Sequence, residues 1–417
     1  YTMTIGGQAV AGTTSFEVLN PATGQVIGSA PDCTPEQLDA AVAAARKAFP
    51  AWSATPIEKR REALLGIAGV LGGNVEELKR LLTSEQGKPH ADAMGDILGG
   101  AYWCQATSSL DLPVTVVEDT AERRGETRHV PIGVVGAIVP WNTPFMITAW
   151  KLGPLLAAGC TVVLKPSEET PLSALHLATL CQEAGIPDGV VNVVTGYGRV
   201  VGKALCEHPG VDKITFTGSP EVGAEIQRIA GPLFKRVSLE LGGKSPQIVF
   251  DDASLDAAIQ GCAMGVFFNQ GQVCAAGTRV LVQRGIADRF AAMLAAAAGT
   301  VPSGAVAKKG QFERVNRYIR QGIAEGATLL AGGPSEHGTG WFVKPTIFAN
   351  ATNAMSIARD EIFGPVATVI PFDSEDDAIR IANDSRYGLG ATVWTSNVAR
   401  AHRVAQAVRA GAVGINC

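Results

Sequence analysis

Apolar and polar positions divide the chain into a mixed N-terminal part and a long alternation of short strands with helices. Residues 5–30 alternate turn residues with short apolar runs, which predicts a β-rich lead-in. Helical spacing follows. Leu38, Ala41, Ala44 and Phe49 mark a helix over Pro35–Phe49, and Ala63, Leu64, Ile67 and Leu71 mark another over Pro56–Leu71. A third helical pattern covers Val75–Ser84. Over 111–130 the character changes: Val114, Val116 and Val117, the polar stretch Asp119–Gly125 and then Thr127–Val130 predict an extended hairpin.

From residue 132 the rhythm becomes strand–helix–strand. Strands are expected at Gly133–Val139, Thr161–Leu164, Val191–Val194, Lys213–Phe216, Val237–Leu241 and Gln247–Phe250, with helices at Phe145–Ala158 and Pro171–Ala184. The pattern resumes with a helix at Leu255–Phe268, a strand at Arg279–Gln283 and an alanine-rich helix at Ala287–Ala298. Short β-rich runs alternating with helices imply parallel strands joined by right-handed crossovers, so the fold class is α/β with a doubly wound sheet. No repeat of 20–50 residues is present.

Composition narrows this picture. At about 150 residues per domain, 417 residues suggest two or three domains. Charged residues are 18% of the chain and the net charge is −4, which gives no basic track for nucleic acid. The cluster Lys59-Arg60-Arg61 sits beside Glu58 and Glu62 in a helical pattern and reads as a solvated face. No apolar run approaches the ~20 residues of a membrane span. Leu152–Leu164 is broken by Gly153, Pro154 and Gly159 and reads as a helix end running into a strand. The start Tyr1-Thr2-Met3-Thr4 has no basic stretch leading into an apolar one, so no secretion leader is expected, and a first residue other than Met suggests trimming. Eight dispersed cysteines (33, 104, 160, 181, 206, 262, 274, 417) without a C-x-x-C pair fit reduced thiols and a cytoplasmic location.

Several familiar motifs fail. Gly196-Tyr197-Gly198 has its third glycine at 202, one residue late for G-x-G-x-x-G, and reads as a tight strand-to-helix turn. Leu241-Gly242-Gly243-Lys244-Ser245 mimics the end of a phosphate-binding loop, but Ser238 stands where its first glycine belongs. There is no G-x-S-x-G elbow and no H-x-x-x-H pair among the six histidines, so neither a serine hydrolase nor a metal site is expected.

Three segments carry candidate chemistry. In Phe267-Phe268-Asn269-Gln270-Gly271-Gln272-Val273-Cys274-Ala275, the cysteine reads either as a buried inert thiol or as a nucleophile. Gln270, Gly271 and Gln272 are poor core residues and favour a loop near solvent. In Glu240-Leu241-Gly242-Gly243-Lys244-Ser245-Pro246, the carboxylate ends an apolar strand. It reads either as an ion pair with Lys244 or as a general base whose pKa burial has raised. In Pro140-Trp141-Asn142-Thr143-Pro144, after the strand at 133–139, Asn142 is either a turn residue or an amide donor to an oxyanion.

Together these segments resemble the aldehyde dehydrogenase superfamily over most of the chain. The resemblance rests on Pro140-Trp141-Asn142, Lys165-Pro166-Ser167-Glu168, Phe216-Thr217-Gly218-Ser219, Glu240-Leu241-Gly242-Gly243-Lys244, the loop around Cys274 and Glu361-Ile362-Phe363-Gly364-Pro365, all in family order. It implies an NAD-dependent enzyme that oxidises an aldehyde to a carboxylic acid. Cys274 would form a thiohemiacetal and then a thioacyl enzyme, Asn142 and the Cys274 N–H would hold the oxyanion, and Glu240 would activate water. A carboxylate at this position favours release of the free acid over transfer to coenzyme A. Lys165 and Glu168 would reach the adenosine ribose, favouring NAD over NADP. Gly218 and Ser219 would open a helix toward the pyrophosphate, Glu361 and Phe363 would hold the nicotinamide end, and Trp141 would lie near the cofactor.

The implied architecture is a Rossmann-like doubly wound cofactor domain (1–112 and 132–243), a small β oligomerisation hairpin (113–131) and an α/β catalytic domain (244–417). Thr143 stands where the family often has an aromatic residue, and Met146, Trp150 and Phe268 would complete a mostly apolar tunnel suited to a medium-sized apolar or aromatic aldehyde. The stretch between Thr300 and Gln311 looks shorter than the family pattern. The chain stops at Gly414-Ile415-Asn416-Cys417, where the family usually continues for several dozen residues. The implied partners are the aldehyde and further copies of the chain in a homodimer or homotetramer, with no nucleic acid and no membrane. Two rivals stand beside this reading: a cysteine-dependent thioesterase or esterase, and a truncated, non-catalytic NAD-binding protein.

Overall fold

Alternating β-branched runs and helices build two parallel-cored sheets in the computed structural model, which describes all 417 residues. The chain separates into two units. The first comprises Tyr1–Leu19, Val26–Glu85 and Ala93–Glu240, and the second Asn20–Gln25, Gln86–Asp92 and Leu241–Cys417. The main break falls after Glu240, and the two short stretches at 20–25 and 86–92 group with the second unit. Nothing in their local pattern signals this, because it follows from contacts distant in sequence.

The first unit opens with strands β1 (Met3–Ile5), β2 (Gln8–Val10), β3 (Thr14–Leu19) and β4 (Val26–Asp32). Helices α1 (Pro35–Ala54), α2 (Ile57–Gly73), α3 (Val75–Gln86) and α4 (His90–Ser108) follow. Thr34 caps α1 in a reciprocal box with Gln37. That helix runs past its expected end at Phe49, through Pro50, because buried Trp52 anchors the final turn. Helix α4 is absent from the sequence reading. Its buried Ala93, Ile97, Gly100, Ala101 and Cys104 do repeat at helical spacing, but Gly95, Gly99 and Gly100 weaken the signal. Two of these glycines have a packing reason: a Cβ on Gly99 would lie 3.0 Å from Met146 Sδ, and one on Gly100 3.3 Å from Ala149 Cβ.

A two-stranded antiparallel hairpin, β5 (Thr115–Asp119) and β6 (Arg124–Thr127), precedes the doubly wound part. That part comprises β7 (Val134–Ile138), α5 (Pro144–Ala157), β8 (Thr161–Lys165), α6 (Pro171–Glu183), β9 (Val191–Val193), α7 (Lys203–Glu207), β10 (Lys213–Thr217), α8 (Pro220–Ala230) and β11 (Arg236–Glu240). The sheet order is β11-β10-β7-β8-β9-β1-β2. It is parallel from β11 to β9, whereas β1 joins β9 antiparallel, so the lead-in finishes one edge of the sheet.

The second unit contains β12 (Pro246–Val249), α9 (Leu255–Phe267), β13 (Arg279–Gln283), α10 (Ala287–Ala298), α11 (Lys309–Ala324), β14 (Thr328–Ala331), β15 (Thr346–Ala349), α12 (Ser356–Arg359), β16 (Val366–Phe372), α13 (Glu375–Asn383), β17 (Gly390–Trp394), α14 (Val398–Ala407) and β18 (Ala412–Ile415). Its sheet runs β14-β15-β16-β13-β12-β17-β18, with only β14 antiparallel. Alternate strand residues feed the two faces. Ile248 and Leu281 pack with Phe312, Val315 and Ile319 of α11, while Val249, Val280 and Val282 pack with Cys262, Phe290 and Leu294 of α9 and α10. No helix is long and apolar enough to cross a membrane.

Candidate active site

The first unit carries a cleft of about 420 Å³. From β7 the chain winds through β8 and β9 to one side and through β10 and β11 to the other, so the sheet order reverses between β7 and β10. Open α/β sheets bind ligands at such a reversal, outside the carboxyl ends of the strands. The cleft is lined there by Trp141 beyond β7, Lys165 at the end of β8 with Glu168 beyond it, and Thr217 at the end of β10 with Gly218 beyond it. Four of the expected cofactor contacts, Trp141, Lys165, Glu168 and Gly218, therefore share one cavity. Ser219 caps α8, its hydroxyl accepting from the Val222 N–H at 3.3 Å.

Lys165 is a buried ammonium at the floor of this cleft. It is 1% exposed, and its ammonium donates to the carbonyls of Pro166 at 2.5 Å and Gly196 at 2.9 Å. Burial pushes its pKa down to about 8 against the opposing charges of Glu168 and Asp32. The Glu168 carboxylate lies 3.8 Å from the ammonium. Thr217 leaves its hydroxyl buried without a hydrogen-bond partner among the protein groups. The turn at Gly196, φ +139°, leads into a π-helical turn over Gly198–Gly202 and then into α7.

Thr143 takes the N-cap position of α5, with Pro144 in the first turn and Asn142, 3% exposed, just before it. The helix start is fixed from α4: the Met146 N–H donates to Asp96 Oδ1 at 2.7 Å. Trp150 lies edge-on to Trp103 with ring centroids 5.8 Å apart. Of the four expected tunnel residues, Thr143, Met146 and Trp150 thus stand on or beside one helix of the first unit, and Phe268 stands in the second unit.

Glu240 differs from expectation. Its strand, β11, is the sheet's edge, and its residues alternate between exposed and half-buried, ending on an exposed Glu240. An edge strand has a neighbour on one side only, which leaves this side chain exposed at its end. The ion-pair alternative fails as well, since the Lys244 ammonium is buried without a hydrogen-bond partner. Burial and Arg279 push the Lys244 pKa down to about 7, with Glu361 and Asp360 opposing.

The sequence reading missed Lys151. This residue of α5 is 7% exposed, and its ammonium donates to Thr215 Oγ1 at 2.9 Å. Burial lowers its pKa to about 8, and the Glu240 carboxylate acts against that shift. A lysine on an otherwise apolar helical stripe was the available signal. Because the folded pKa lies below the ordinary 10.5, the folded state binds this proton less tightly than the unfolded chain does. Lys151→Met should therefore stabilise the protein at pH 7 by about 3 kcal/mol. The gain fades as pH rises from about 8 to 10.5, where wild-type Lys151 folds neutral. Urea unfolding of both proteins across this range measures it.

In the second unit the candidate residues enter strands instead of leaving them. Leu241–Lys244 precedes β12, the Cys274 loop precedes β13, and Glu361–Phe363 precedes β16. Cys274 is partly exposed, whereas the other internal cysteines (33, 104, 160, 181, 206 and 262) are buried. Burial pushes the thiols of Cys33, Cys104 and Cys181 up to about 12 and that of Cys206 up to about 11. Those thiols are poor nucleophiles.

The loop before Cys274 is buried, contrary to the expectation drawn from its polar residues. Asn269, Gln270 and Gln272 are tied down internally: Asn269 Nδ2 donates to Gln272 O at 3.2 Å, and Gln272 donates to Asn269 O at 3.1 Å and accepts from the Ala307 N–H at 2.9 Å. Asn269, Gln270 and Gly271 are successively left-handed, with φ of 53°, 59° and 68°. For Gln270 this costs about 1–2 kcal/mol, strain that the packing must hold, whereas asparagine tolerates the region. A Cβ on Gly271 would lie 2.2 Å from Gly364 O. Gly243 has the same necessity, since its Cβ would lie 2.5 Å from the carbonyl oxygen of Cys274. The Gly243 N–H donates to Glu361 Oε1 at 3.2 Å. Phe363 is itself left-handed, φ 60°, and Gln311 of α11 donates to the carbonyls of Ile362 at 3.0 Å and Phe363 at 2.6 Å. The second unit therefore gathers Gly243, Cys274 and Glu361 into one strained, closely packed entry to its sheet.

The first unit thus carries a cleft at the reversal of a doubly wound sheet, and in the second unit one partly exposed internal thiol, Cys274, follows a left-handed run. The family model described as "Aldehyde dehydrogenase family" matches residues 9–417, and the chain belongs to that family. The reaction of the family is oxidation of an aldehyde to the acid with NAD. An aldehyde dehydrogenase of Aspergillus niger is 43% identical over 99% of this chain and 86% of its own length. An Arabidopsis thaliana aminoaldehyde dehydrogenase is 41% identical, over 96% of this chain and 84% of its own. Among solved structures, an indole-3-acetaldehyde dehydrogenase in complex with NAD+ shares 44% identity at a TM-score of 0.96, covering all of this chain and 88% of that one. An NAD+ complex of a Bacillus cereus aldehyde dehydrogenase matches at 41% and 0.97, again over all of this chain and 88% of that one.

Proposed function

We propose that this chain oxidises an apolar or aromatic aldehyde to its free acid, with Cys274 as nucleophile and NAD as oxidant. The observation that carries the reading is the contrast among thiols: Cys274 alone of the internal cysteines is accessible, and a strained loop fixes it. The Cys274 sulfur adds to the carbonyl carbon, giving a thiohemiacetal whose oxyanion accepts from the Asn142 amide and the Cys274 N–H. Bound NAD supplies the two-electron acceptor for the step to the thioacyl enzyme. Glu240 takes a proton from the water that releases the acid and regenerates the thiol.

The cleft at the β7/β10 reversal suits a dinucleotide. Its buried Lys165 ammonium, the buried Thr217 hydroxyl without a protein partner and the N-terminus of α8 beyond Ser219 supply polar groups, and Glu168 disfavours a 2′-phosphate. Glu361 and Phe363 would hold the nicotinamide end, and Trp141 the cleft wall. In this reading 1–112 and 132–243 form the cofactor domain and 244–417 the catalytic domain. The hairpin at 113–131 would join copies of the chain as a homodimer or homotetramer, since Val114, Val116, Val117 and Val130 are exposed. The free thiols favour a cytoplasmic setting. Similarity to an indole-3-acetaldehyde dehydrogenase supports aromatic aldehydes first, with an aminoaldehyde as the contrasting substrate.

NADH formation from NAD and a panel of aliphatic, aromatic and amino aldehydes tests the activity; no NADH with any of them would end the proposal. Asn142→Ala should lower kcat by about a hundredfold to a thousandfold, as loss of one oxyanion donor does. Steady-state kinetics with NAD at saturation reads this, and an unchanged kcat would remove Asn142 from the oxyanion site.

A further inference from the structure

The short stretch 86–92 has no part in the chemistry described above, yet it lies beneath the loop that carries Cys274. The Asn269 N–H, the first of the left-handed run, donates to Asp92 Oδ2 at 3.0 Å. Lys88, wholly buried, is the cation that acts on Asp92. The same stretch backs the loop from below: the Ala305 N–H donates to Gly87 O at 3.0 Å, and Gln270 donates to Pro302 O at 3.4 Å. Gly304 is packed so closely that a Cβ there would lie 2.8 Å from Pro89 and 3.0 Å from Gln270 Nε2. The stretch is thus wedged against both the loop and residues 302–305, and all of these residues belong to the second unit.

Asparagine tolerates the left-handed region but Gln270 after it does not, and the hydrogen bond from the Asn269 N–H to Asp92 pins the start of that strained run. Asp92 supplies a carboxylate that accepts from that N–H. Burial raises the Asp92 pKa, while the Asn269 N–H and then Lys88 work against that rise.

We propose that Asp92 is a positioning residue for Cys274, clamping the left-handed turn that aims the thiol. The inference rests on the reading of Cys274 as nucleophile. It acts through backbone geometry, so loss of the acceptor lets the turn unwind and the sulfur drift from its productive place.

The test is the rate at which iodoacetamide alkylates Cys274, located by peptide mass, together with kcat and the KM for NAD, in the full chain. Asp92→Ala should lower the alkylation rate and kcat by about tenfold to a hundredfold with the KM for NAD unchanged. Asp92→Asn keeps an acceptor oxygen and should stay within about threefold of wild type. Adding Gln270→Gly to Asp92→Ala relieves one strained left-handed residue and should recover part of the loss. If Asp92→Ala does not fold, Asp92→Ser, polar but short of reach, is read in its place. Wild-type alkylation and kcat in the Asp92 variant, or no recovery with Gln270→Gly, would overturn the proposal. Cys274→Ala run alongside separates the failures. If it is fully active, the nucleophile reading falls; if it is inactive while Asp92→Ala is normal, only the clamp falls.

Discussion

Cys274→Ala should abolish aldehyde-dependent NADH formation while leaving NAD binding intact. The sulfur is the atom that bonds to carbon in the proposed first step, and no neighbouring thiol can stand in. Cys33, Cys104, Cys181 and Cys206 are held protonated by burial to about 11 or 12. The proposed cofactor cleft lies in the first unit and its lining does not include Cys274. Calorimetric NAD binding should therefore match wild type while turnover falls by at least about a thousandfold, the scale of losing a covalent nucleophile. Retained turnover would remove covalent catalysis from the account.

Glu240→Gln should separate the two halves of the reaction. Loss of the base leaves thiohemiacetal formation and oxidation in place but stops water from attacking the thioester. A rapid-mixing trace should show a burst of NADH near one equivalent of enzyme, followed by a steady rate lowered about a hundredfold to ten-thousandfold, the usual contribution of a general base. The exposure of Glu240 at the end of an edge strand suits this role, since water reaches the carboxylate directly. A steady rate equal to wild type would assign the base elsewhere, and loss of the burst as well would place Glu240 in the first step.

Much of this was legible in the chain. The strands β7, β8, β10 and β13 follow from β-branched runs bounded by glycine and proline, and α5 and α6 from the prolines that start them. Legibility failed where the cause lies far away in sequence. Helix α4 was hidden because Gly99 and Gly100 are there for packing against Met146 and Ala149, at a cost in helical propensity. Gln270 and Gln272 read as solvent-facing because their burial depends on hydrogen bonds to Pro302 and Ala307. Glu240 read as buried because an apolar strand gives no sign of its place in the sheet order. Lys151 was marked only by the apolar stripe around it, and Asp92 looked ordinary, since an aspartate near a helix start is common. Only Thr215 Oγ1 and the Asn269 N–H give them their roles.

The most direct test of the central claim is the mass of Cys274 itself during turnover. Wild-type protein is mixed with NAD and an aromatic aldehyde, quenched in acid and digested, and the peptide carrying Cys274 is weighed. The expected result is that peptide carrying the acyl group as a thioester, present only when NAD is included and absent from every other cysteine. NADH formation with no acyl group on Cys274, or with the acyl group on a different residue, would contradict the account.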